Sequence, residues 1–458
     1  MIPMSMADIA AAVDGALRDV DASIQVRDVV VDSRQAAPGS VFFALPGSVS
    51  DGRLHAPEAI AAGAEAAVVS TPVDGPCLLV DDPLVALGRL AATTLQRSDR
   101  PTVVGITGSN GKTTTKDLVA AVLSTVAPTV AAPASYNGEV GLPLSVLRAT
   151  SDTKYLVLEY GARGVGHIRE LTRIARPDIA VELGVGVAHI GEFGSRAAIA
   201  TAKAELVAAL PSEGVAVLNA DDPYVLAMQD QTAAQVVTFS RRDDATVRAT
   251  SVALDQNAQA RFVLSAPGGE AEVRLNLYGE HQVTNALATA AVALTCGLSV
   301  ADTAAALSAA EPRSRWRMEV VETPQGVTLI NDAYNANPDS MAAGLHALAT
   351  IGGTRRTWAV LGQMAELGDV APEAHRNVGA LAAELHIDQV VVVGRAAAAI
   401  GDAAGGPSTT VHVVADVEAA TALLLANLRP GDVVLVKASR AAGLEHVAVP
   451  LIGGAVPA

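Results

Sequence analysis

Short apolar runs rich in Val, Ile and Leu recur along the chain, and Ala-rich stretches separate them. Runs bounded by Gly, Pro, Asn or Asp are typical of buried strands, whereas apolar residues spaced along one face predict helices. The pattern predicts strands at 26–31, within 38–47, and at 66–69, 77–80, 102–104, 155–158, 179–181, 215–219, 327–330, 358–361, 390–393 and 433–436. It predicts helices within 1–20, at 59–62, 117–123 and 195–210, and between 281 and 295. Strands that alternate with helices favour an α/β fold with parallel sheets.

The length of the chain and one linker-like segment predict three domains. The chain has 458 residues, and a typical domain has about 150. Residues 1–98 are expected to form a small α/β domain and 99–312 a central parallel-sheet domain. A Rossmann-like α/β domain is expected at 313–458, after a linker that contains Pro312.

Composition and charge narrow the class of protein. Hydrophobic residues make up 50% of the chain and charged residues 17%, which supplies enough apolar material for a core in each domain. The net charge of -16 argues against nucleic acid or an anionic membrane as the main partner. Cys77 and Cys296 stand far apart without metal-ligand spacing, which fits a reducing compartment. Residues 1–20 do not have the pattern of a signal peptide, and no apolar run is long enough to span a membrane. We therefore expect a cytoplasmic protein without membrane insertion.

The segment with the clearest chemistry, 105–116, lies between the strand predicted at 102–104 and the helix predicted at 117–123. A strand, a Gly-rich turn and Gly-Lys-Thr at the start of a helix form a cradle for nucleotide phosphates. Glycines let backbone N–H groups approach the phosphates, and the helix N-terminus adds a positive dipole end. Ile106 stands where the strict pattern has its first glycine, so a turn that binds no phosphate stays open as the alternative.

The polar residues of this loop have expected roles. Lys112 would reach the β- and γ-phosphates, and the hydroxyl of Thr113 would ligate Mg²⁺. The other expected contacts to the nucleotide within the loop are Gly105, Thr107, Gly108, Ser109, Asn110, Gly111 and Thr114. The expected ligand of this loop is therefore a nucleoside triphosphate with Mg²⁺.

Three further residues of the central domain are candidates for catalysis or metal binding. Glu159 follows a predicted strand, where a carboxylate ligates Mg²⁺ or positions water; the alternative is an edge carboxylate that faces solvent. His189 lies in a loop after the next predicted strand, and both a metal or phosphate role and a structural role are open. Lys203 lies on a predicted helix. It is either solvated or directed into the site, where a desolvated neutral amine can react with CO₂ to form a carbamate.

Polar residues also gather where the strands of the outer domains end. In the last domain they occupy 331–338, 362–366 and 437–440, and open α/β sheets bind ligands at such strand ends. In the first domain, Ser33 and Arg34 follow a predicted strand, where they would bind a phosphate or a uracil-like edge, although two residues alone are a weak signal.

Together these segments resemble the Mur ligase family, the ATP-dependent amide-forming enzymes of peptidoglycan synthesis, over nearly the whole chain. The segments that carry the resemblance follow the order of the family, and they are Gly-x-x-Gly-x-Asn-Gly-Lys-Thr at 105–113, Glu-Tyr-Gly-Ala at 159–162, Ala-His at 188–189, Ala-Lys-Ala-Glu at 202–205 and Asn-Ala-Asp-Asp at 219–222. Two more, 332–341 and 361–368, are similar to those of family members that add D-alanyl-D-alanine.

The resemblance implies a monomeric ATP-dependent ligase that joins D-alanyl-D-alanine to UDP-N-acetylmuramoyl-tripeptide through an acyl phosphate. It implies that Glu159, His189 and Lys203, the last as a carbamate, hold Mg²⁺ together with Thr113, and that these residues and Lys112 are catalytic. The further contacts to ATP that it implies are Asn285, Arg317 and Asp332. The expected substrate-binding residues are Ser33, Arg34, Asn137, Asn335, Asn337 and Lys437.

The chain departs from the family pattern at three places. Gln282 replaces the first Asn of the usual His-Asn-x-x-Asn, Tyr160 stands where Met is usual, and Leu183 with Gly184 replaces a Thr-Asn pair. These departures concern adenine and loop contacts and remove no phosphate or metal ligand. Two alternatives stay open: another ligase of the family that adds a single amino acid, such as a diamino acid or the glutamates of folate, and a P-loop ATPase that forms no amide bond.

Overall fold

The structure is a computed structural model that describes residues 1–47, 51–188, 190–242 and 244–453. It has an α/β fold in three domains, each built around its own main sheet. The predicted fold class is thereby confirmed. The predicted domain limits at 98/99 and 312/313 stay predictions.

In its described residues, the first domain has short strands and three α-helices. Its elements are β1 (Met4–Ser5), α1 (Met6–Val13), β2 (Ala16–Arg18), β3 (Gln25–Val26), β4 (Asp28–Val30), β5 (Ser40–Phe43), α2 (Ala56–Ala61), β6 (Ala66–Val69), β7 (Cys77–Leu79) and α3 (Pro83–Arg97). The main sheet has the order β2-β7-β6-β5-β4, and its pairs are parallel except that β2 runs antiparallel to β7. The predicted helix within 1–20 ends early, because Asp14 takes a left-handed φ of 56° and Leu17 pairs in β2 with Leu78.

The central domain carries the largest sheet. Its elements are β8 (Thr102–Thr107), α4 (Lys112–Leu123), β9 (Thr129–Ala131), α5 (Gly141–Leu147), β10 (Tyr155–Glu159), α6 (His167–Ile174), β11 (Ile179–Glu182), α7 (Ile190–Phe193), α8 (Arg196–Ala208), β12 (Val215–Asn219), α9 (Pro223–Leu226), β13 (Gln235–Ser240), β14 (Val247–Leu254), β15 (Gln259–Ala266), β16 (Gly269–Tyr278), α10 (Gln282–Thr295) and α11 (Val300–Ala309). The sheet order is β16-β15-β14-β13-β12-β11-β8-β10-β9.

The expected parallel sheet is present, and an unpredicted antiparallel part extends it. All pairs from β9 to β14 are parallel, whereas β15 runs antiparallel to both β14 and β16. Alternate residues of β15, such as Phe262 and Leu264, are buried against α10 and α11. The antiparallel strands therefore cover one side of the layer formed by α10 and α11, and these two helices also pack against α4.

The C-terminal domain is a second layered α/β unit. Its elements are β17 (Glu319–Glu322), β18 (Thr328–Asn331), α12 (Pro338–Gly352), β19 (Thr357–Leu361), α13 (Ala371–Glu384), β20 (Gln389–Val393), α14 (Ala398–Ala404), β21 (Thr410–Val414), α15 (Val417–Asn427), β22 (Val433–Lys437) and α16 (Glu445–Ile452). The sheet order is β17-β18-β22-β19-β20-β21, and its pairs are parallel except β17–β18.

The arrangement brings strand ends of two domains together. In the central sheet, β8 lies between β11 and β10, so the loop after β8 lies beside the ends of those two strands. Asn337, which caps α12 of the C-terminal domain, donates from Nδ2 to Asn110 Oδ1 in that loop at 2.7 Å. The phosphate loop is therefore in direct contact with the C-terminal domain.

Candidate active site

At its last position, the loop between β8 and α4 has a backbone conformation and a close contact that favour glycine. Gly111 has a φ of 82°, and a Cβ atom there would lie 2.3 Å from Asn285 Oδ1. Ser109 fastens the loop to the segment after β11: its N–H donates to the carbonyl of Gly184 at 2.8 Å, and its Oγ accepts from the N–H of Gly186 at 2.9 Å. The loop is thus held open above the N-terminus of α4.

Lys112 begins α4 and points back over the loop. Its Nζ donates to the carbonyl of Gly108 at 2.7 Å. Burial lowers the pKa of this ammonium group, and the nearby carboxylate of Glu159 opposes the change. Lys112 therefore places a cation at the helix N-terminus, where phosphate groups bind.

Beside Lys112, the hydroxyl of Thr113 contacts the carboxylate of Glu159 and the hydroxyl of Ser135. Thr113 Oγ1 donates to Glu159 Oε2 at 3.2 Å and lies 2.9 Å from Ser135 Oγ. Glu159 is fully buried, and within the described ranges its Oε1 has no hydrogen-bond partner. Burial raises the pKa of this carboxyl, and Lys116, the largest of the opposing charges, favours its ionised form.

These groups fit a Mg²⁺ ion. Mg²⁺ prefers carboxylate and hydroxyl oxygens, and the unpartnered Oε1 of Glu159 is available as a ligand. Within the part of the chain that the structure describes, no group of three or more His, Cys, Asp or Glu residues is arranged to hold a metal. His189 lies outside the described residues, so its predicted metal role stays a prediction.

Lys203 faces the site from α8, as one of the two sequence alternatives anticipated. The side chain is only 7% exposed, and burial lowers its pKa to about 7. Glu205 on the same helix accepts from the N–H groups of Gly166 and Arg169 at 2.6 and 3.0 Å. These bonds join α8 to the first turn of α6.

The sequence analysis did not single out a second buried acid of the site, Glu182, which is the last residue of β11. Glu182 pairs in register with Thr107 of β8, and the sheet face that they share packs against α8. The carboxyl is 0% exposed, and among the described residues neither of its oxygens has a hydrogen-bond partner. Burial raises its pKa to about 8, and Lys203 is the strongest opposing charge. The signal was available, because an acid ends an apolar strand here just as Glu159 does.

The C-terminal domain contributes two cations and an acid to the cavity that the phosphate loop also lines. Lys437 donates from Nζ to Asp332 Oδ2 at 2.6 Å and to the carbonyl of Asn335 at 3.0 Å. Arg317 reaches Ser135 Oγ at 2.7 Å, and its guanidinium lies over the ring of Tyr334 at 4.2 Å. The C-terminal domain therefore touches the same serine hydroxyl that meets Thr113.

Two adjoining cavities open at this junction. The larger measures about 570 Å³, and the expected site residues that line it are Ser109, Asn110, Gly111, Lys112, Thr113, Thr114, Asn137, Glu159, Asn285, Arg317, Asp332, Asn335, Asn337 and Lys437. The smaller measures about 190 Å³, and the expected residues that line it are Gly108, Ser109, Lys112, Asn137 and Lys203. The expected nucleotide and metal residues are thus largely brought together.

Of the expected residues that the structure describes, four line neither cavity. Gly105 and Thr107 lie within β8, and a Cβ atom at Gly105 would lie 2.9 Å from the ring of Tyr160, so packing accounts for this glycine. Ser33 and Arg34 lie in the first domain, where Ser33 donates to Glu58 at 3.0 Å and Arg34 pairs with Asp32. Their predicted contacts with ATP and with the UDP-sugar stay predictions.

A phosphate loop that faces a second α/β domain across one cavity defines a nucleotide-dependent enzyme of the P-loop class. The chain matches three family models: "Mur ligase family, catalytic domain" at 25–94, "Mur ligase middle domain" at 106–293, and "Mur ligase, glutamate ligase domain" at 316–440. The chain belongs to the Mur ligase family and is an ATP-dependent ligase.

Similar proteins and solved structures indicate which members of the family this chain resembles. The chain is 49% identical to the UDP-N-acetylmuramoyl-tripeptide--D-alanyl-D-alanine ligase of Mycobacterium tuberculosis, over 99% of this chain and 98% of that protein. It is 34% identical to the enzyme of that name from Escherichia coli, over 98% of each. A crystal structure of MurF from Acinetobacter baumannii matches with a TM-score of 0.89 and 31% identity, over 98% of this chain and 99% of that one.

None of the helices in the described residues is both long enough and apolar enough to cross a membrane.

Proposed function

We propose that this protein joins D-alanyl-D-alanine to UDP-N-acetylmuramoyl-tripeptide in peptidoglycan precursor synthesis, with ATP as the energy source. The relatives from Mycobacterium tuberculosis and Escherichia coli are named as ligases of these two substrates. The observation that carries the proposal is the single cavity in which Lys112 and Glu159 of the central domain face Asp332 and Asn337 of the C-terminal domain. A cavity between two domains can hold ATP and an acceptor while excluding water.

The chemistry requires activation of a carboxylate, because oxide is too poor a leaving group for direct amide formation. An oxygen of the tripeptide's terminal carboxylate attacks the γ-phosphorus of ATP, and ADP leaves. The amine of D-alanyl-D-alanine then attacks the acyl carbon, phosphate leaves, and the amine gives up a proton. Lys112 and the N-terminus of α4 hold the phosphates and offset their charge as they transfer.

Thr113 and Glu159 would hold Mg²⁺, with His189 and Lys203 as the further predicted ligands. When bound, Mg²⁺ neutralises charge on the phosphates and on the reacting carboxylate. The hydroxyl of Ser135, which contacts both Thr113 and Arg317, fixes this edge of the site.

Lys203 is suited to become a carbamate. Because its pKa is lowered to about 7, a large share of the amine is neutral near pH 7. The nitrogen lone pair of the neutral amine bonds to the carbon of CO₂ and one proton leaves to solvent, so that the neutral amine becomes an anion with two ligand oxygens. A carbamate at this place would face the smaller cavity, next to Lys112.

The remaining roles are those that the resemblance to the family implies. Arg317 and Asp332 would contact the phosphates and ribose of ATP, and Asn285 the adenine. The residues assigned to the peptide substrates are Asn137, Asn335, Asn337 and Lys437, and those assigned to the UDP-sugar are Ser33 and Arg34. We further propose that the protein acts as a cytoplasmic monomer.

Phosphate release tests the proposal. The purified protein is supplied with ATP, Mg²⁺ and UDP-N-acetylmuramoyl-tripeptide, with and without D-alanyl-D-alanine. We expect release that depends on both substrates and a UDP-muramoyl-pentapeptide product by mass. Release with a single amino acid instead of the dipeptide would assign another ligase of the family, and release without either substrate would indicate an ATPase that forms no amide bond.

A variant tests the carbamate. Lys203→Ala should lose most ligation while it still binds ADP, because the phosphate loop is unchanged. Full activity of Lys203→Ala without added carboxylates would contradict the carbamate.

A further inference from the structure

The side-chain amide of Asn110, in the phosphate loop, is held by two residues of the C-terminal domain. Asn337 Nδ2 donates to Asn110 Oδ1 at 2.7 Å, and Asn110 Nδ2 donates to Asp339 Oδ2 over a longer distance, 3.4 Å. Both partners belong to the start of α12, Asn337 as its N-cap and Asp339 in its first turn. All three residues line the larger cavity together with Lys112.

The cap of α12 decides which atom of Asn337 faces the phosphate loop. Asn337 Oδ1 accepts from the N–H of Ser340 at 2.9 Å, and the hydroxyl of Ser340 accepts from the N–H of Asn337 at 3.0 Å. Asn337 therefore keeps its oxygen for the helix and turns Nδ2 towards Asn110. If the Asn110 amide turned over, its Nδ2 would face Asn337 Nδ2 and its Oδ1 would face the Asp339 carboxylate. Both contacts would then be repulsive.

The place of the Asp339 carboxylate depends on a glycine of the central domain. A Cβ atom at Gly186 would lie 2.5 Å from Asp339 Oδ2. Gly186 follows β11, and its N–H donates to Ser109 Oγ of the phosphate loop at 2.9 Å. An acid beside bound phosphates is unfavourable by charge alone. The carboxylate therefore needs a compensating contribution to binding, and its hydrogen bond with Asn110 can supply one.

We propose that Asp339 is a positioning residue, which together with Asn337 turns the Asn110 amide so that it offers an N–H to the phosphates of ATP. The inference rests on the proposed use of ATP. An amide has two N–H protons and two oxygen lone pairs, and the contacts with α12 take one of each. The oxygens of ionised phosphates accept hydrogen bonds and do not donate them, so only the remaining N–H of Asn110 can bind them. An amide free to turn would at times direct its oxygen at the phosphates and repel them.

Equilibrium binding of a non-hydrolysable ATP analogue and of adenosine to the full chain tests the proposal. In Asp339→Ala the Kd of the analogue should rise by about tenfold, the size expected of one hydrogen bond to a charged group. The Kd of adenosine, which has no phosphates, should stay the same. Removing an acid beside phosphates would lower the Kd if charge alone acted, so a rise has to come from the lost orientation. Asp339→Asn keeps an oxygen that can accept from Asn110 and should restore most of the affinity.

A double-mutant cycle shows whether Asp339 acts through Asn110. Asn110→Ala should weaken binding of the analogue, and adding Asp339→Ala to it should cause no further loss, because both changes remove the same contact with phosphate. Gly186→Ala displaces the carboxylate without changing it, since the new Cβ would collide with Asp339 Oδ2. Gly186 does not have a positive φ, so its backbone accepts alanine. This variant should raise the Kd of the analogue as Asp339→Ala does.

Glu418→Ala is the matched control. Glu418 is also an acid in the first turn of a helix of the C-terminal domain, α15, but it is exposed and lines neither cavity. Each of the two variants loses the same kind of favourable interaction with a helix N-terminus. Glu418→Ala should therefore lower the melting temperature about as little as Asp339→Ala does and leave both Kd values unchanged.

The outcomes are distinct. An unchanged or lower Kd of the analogue in folded Asp339→Ala would overturn the role of Asp339, as would normal affinity in Gly186→Ala. An equal rise in the Kd of adenosine, or a further loss in the double variant with Asn110→Ala, would also overturn it, because Asp339 would then act on the nucleotide directly. Binding is measured without an acceptor, so a protein that binds the analogue normally but ligates a different amine would contradict the proposed function alone.

Discussion

The buried carboxyl of Glu182 makes the stability of this protein depend on pH in a direction that can be worked out. Its pKa is raised from an ordinary 4.5 to about 8, chiefly by burial. The folded protein therefore keeps this proton over a range in which the unfolded chain has lost it. By proton linkage, the stability is complete below pH 4.5 and falls as the pH rises to about 8.

The amount follows from the size of the pKa change. At about 1.4 kcal/mol per unit, a change from 4.5 to about 8 corresponds to at most about 5 kcal/mol of lost stability above pH 8. Replacing Glu182 by Gln removes this cost and keeps the shape. It also removes a charge that raises the pKa of Lys203, so part of the gain is lost. We expect Glu182→Gln to be more stable than the unmodified protein by about 2–3 kcal/mol at pH 8.5. At pH 5 the two proteins should have nearly equal stability.

Calorimetric unfolding of both proteins at the two pH values measures the effect. The other two domains are identical in the pair, so their contribution cancels in the difference. The exposed acid Glu270, at the start of β16, supplies a control, since Glu270→Gln should show no such pH-dependent gain. A Glu182→Gln protein that is equally or less stable at both pH values would refute the reasoning, because the carboxyl would then have a partner that offsets its burial.

Three other variants have expected outcomes. Gly111→Ala should abolish ADP binding measured by calorimetry, because its Cβ would collide with Asn285 Oδ1. Tyr160→Phe leaves a buried backbone carbonyl without its donor and should cost about 1–3 kcal/mol in urea unfolding; a neutral effect would mean that water replaces the hydroxyl. Asn337→Ser keeps a capping side chain for α12 but loses the amide that contacts Asn110. It should lower kcat/KM for ligation and leave the melting temperature within a degree or two, whereas a large drop in melting temperature would indicate a mainly structural role.

Strand positions and the phosphate loop could be predicted because their signals are local. Apolar runs at 102–104 and 155–158 became β8 and β10, and each strand continues to a polar residue at the sheet edge. The glycine at 111 was predicted from the motif, and its positive φ and contact with Asn285 give the physical reason. At this loop the sequence motif and the backbone geometry require the same residues. Such agreement makes a segment predictable from the sequence.

Other features depend on partners that are distant in the chain. The helix within 1–20 was expected to continue through Leu17, but pairing with β7 takes that residue into a strand. Glu182 resembles any acid at a strand end until α8 covers it, where its oxygens have no partner among the residues that the structure describes. The contact of Asn337 with Asn110 joins residues of two domains, and periodicity along one element carries no information about it.

The distribution of lysines explains how a protein with a net charge of -16 can hold anionic ligands. The chain has only five lysines, and three of them, Lys112, Lys203 and Lys437, line the two cavities. Lys116 is buried and donates to the carbonyls of residues 132 and 134, which fixes the loop that carries Ser135. Only Lys154 is exposed. Cations at contact distance in a partly desolvated cavity outweigh acidic groups that lie in solvent beyond a Debye length of about 8–10 Å, so local placement rather than net charge determines whether phosphates bind.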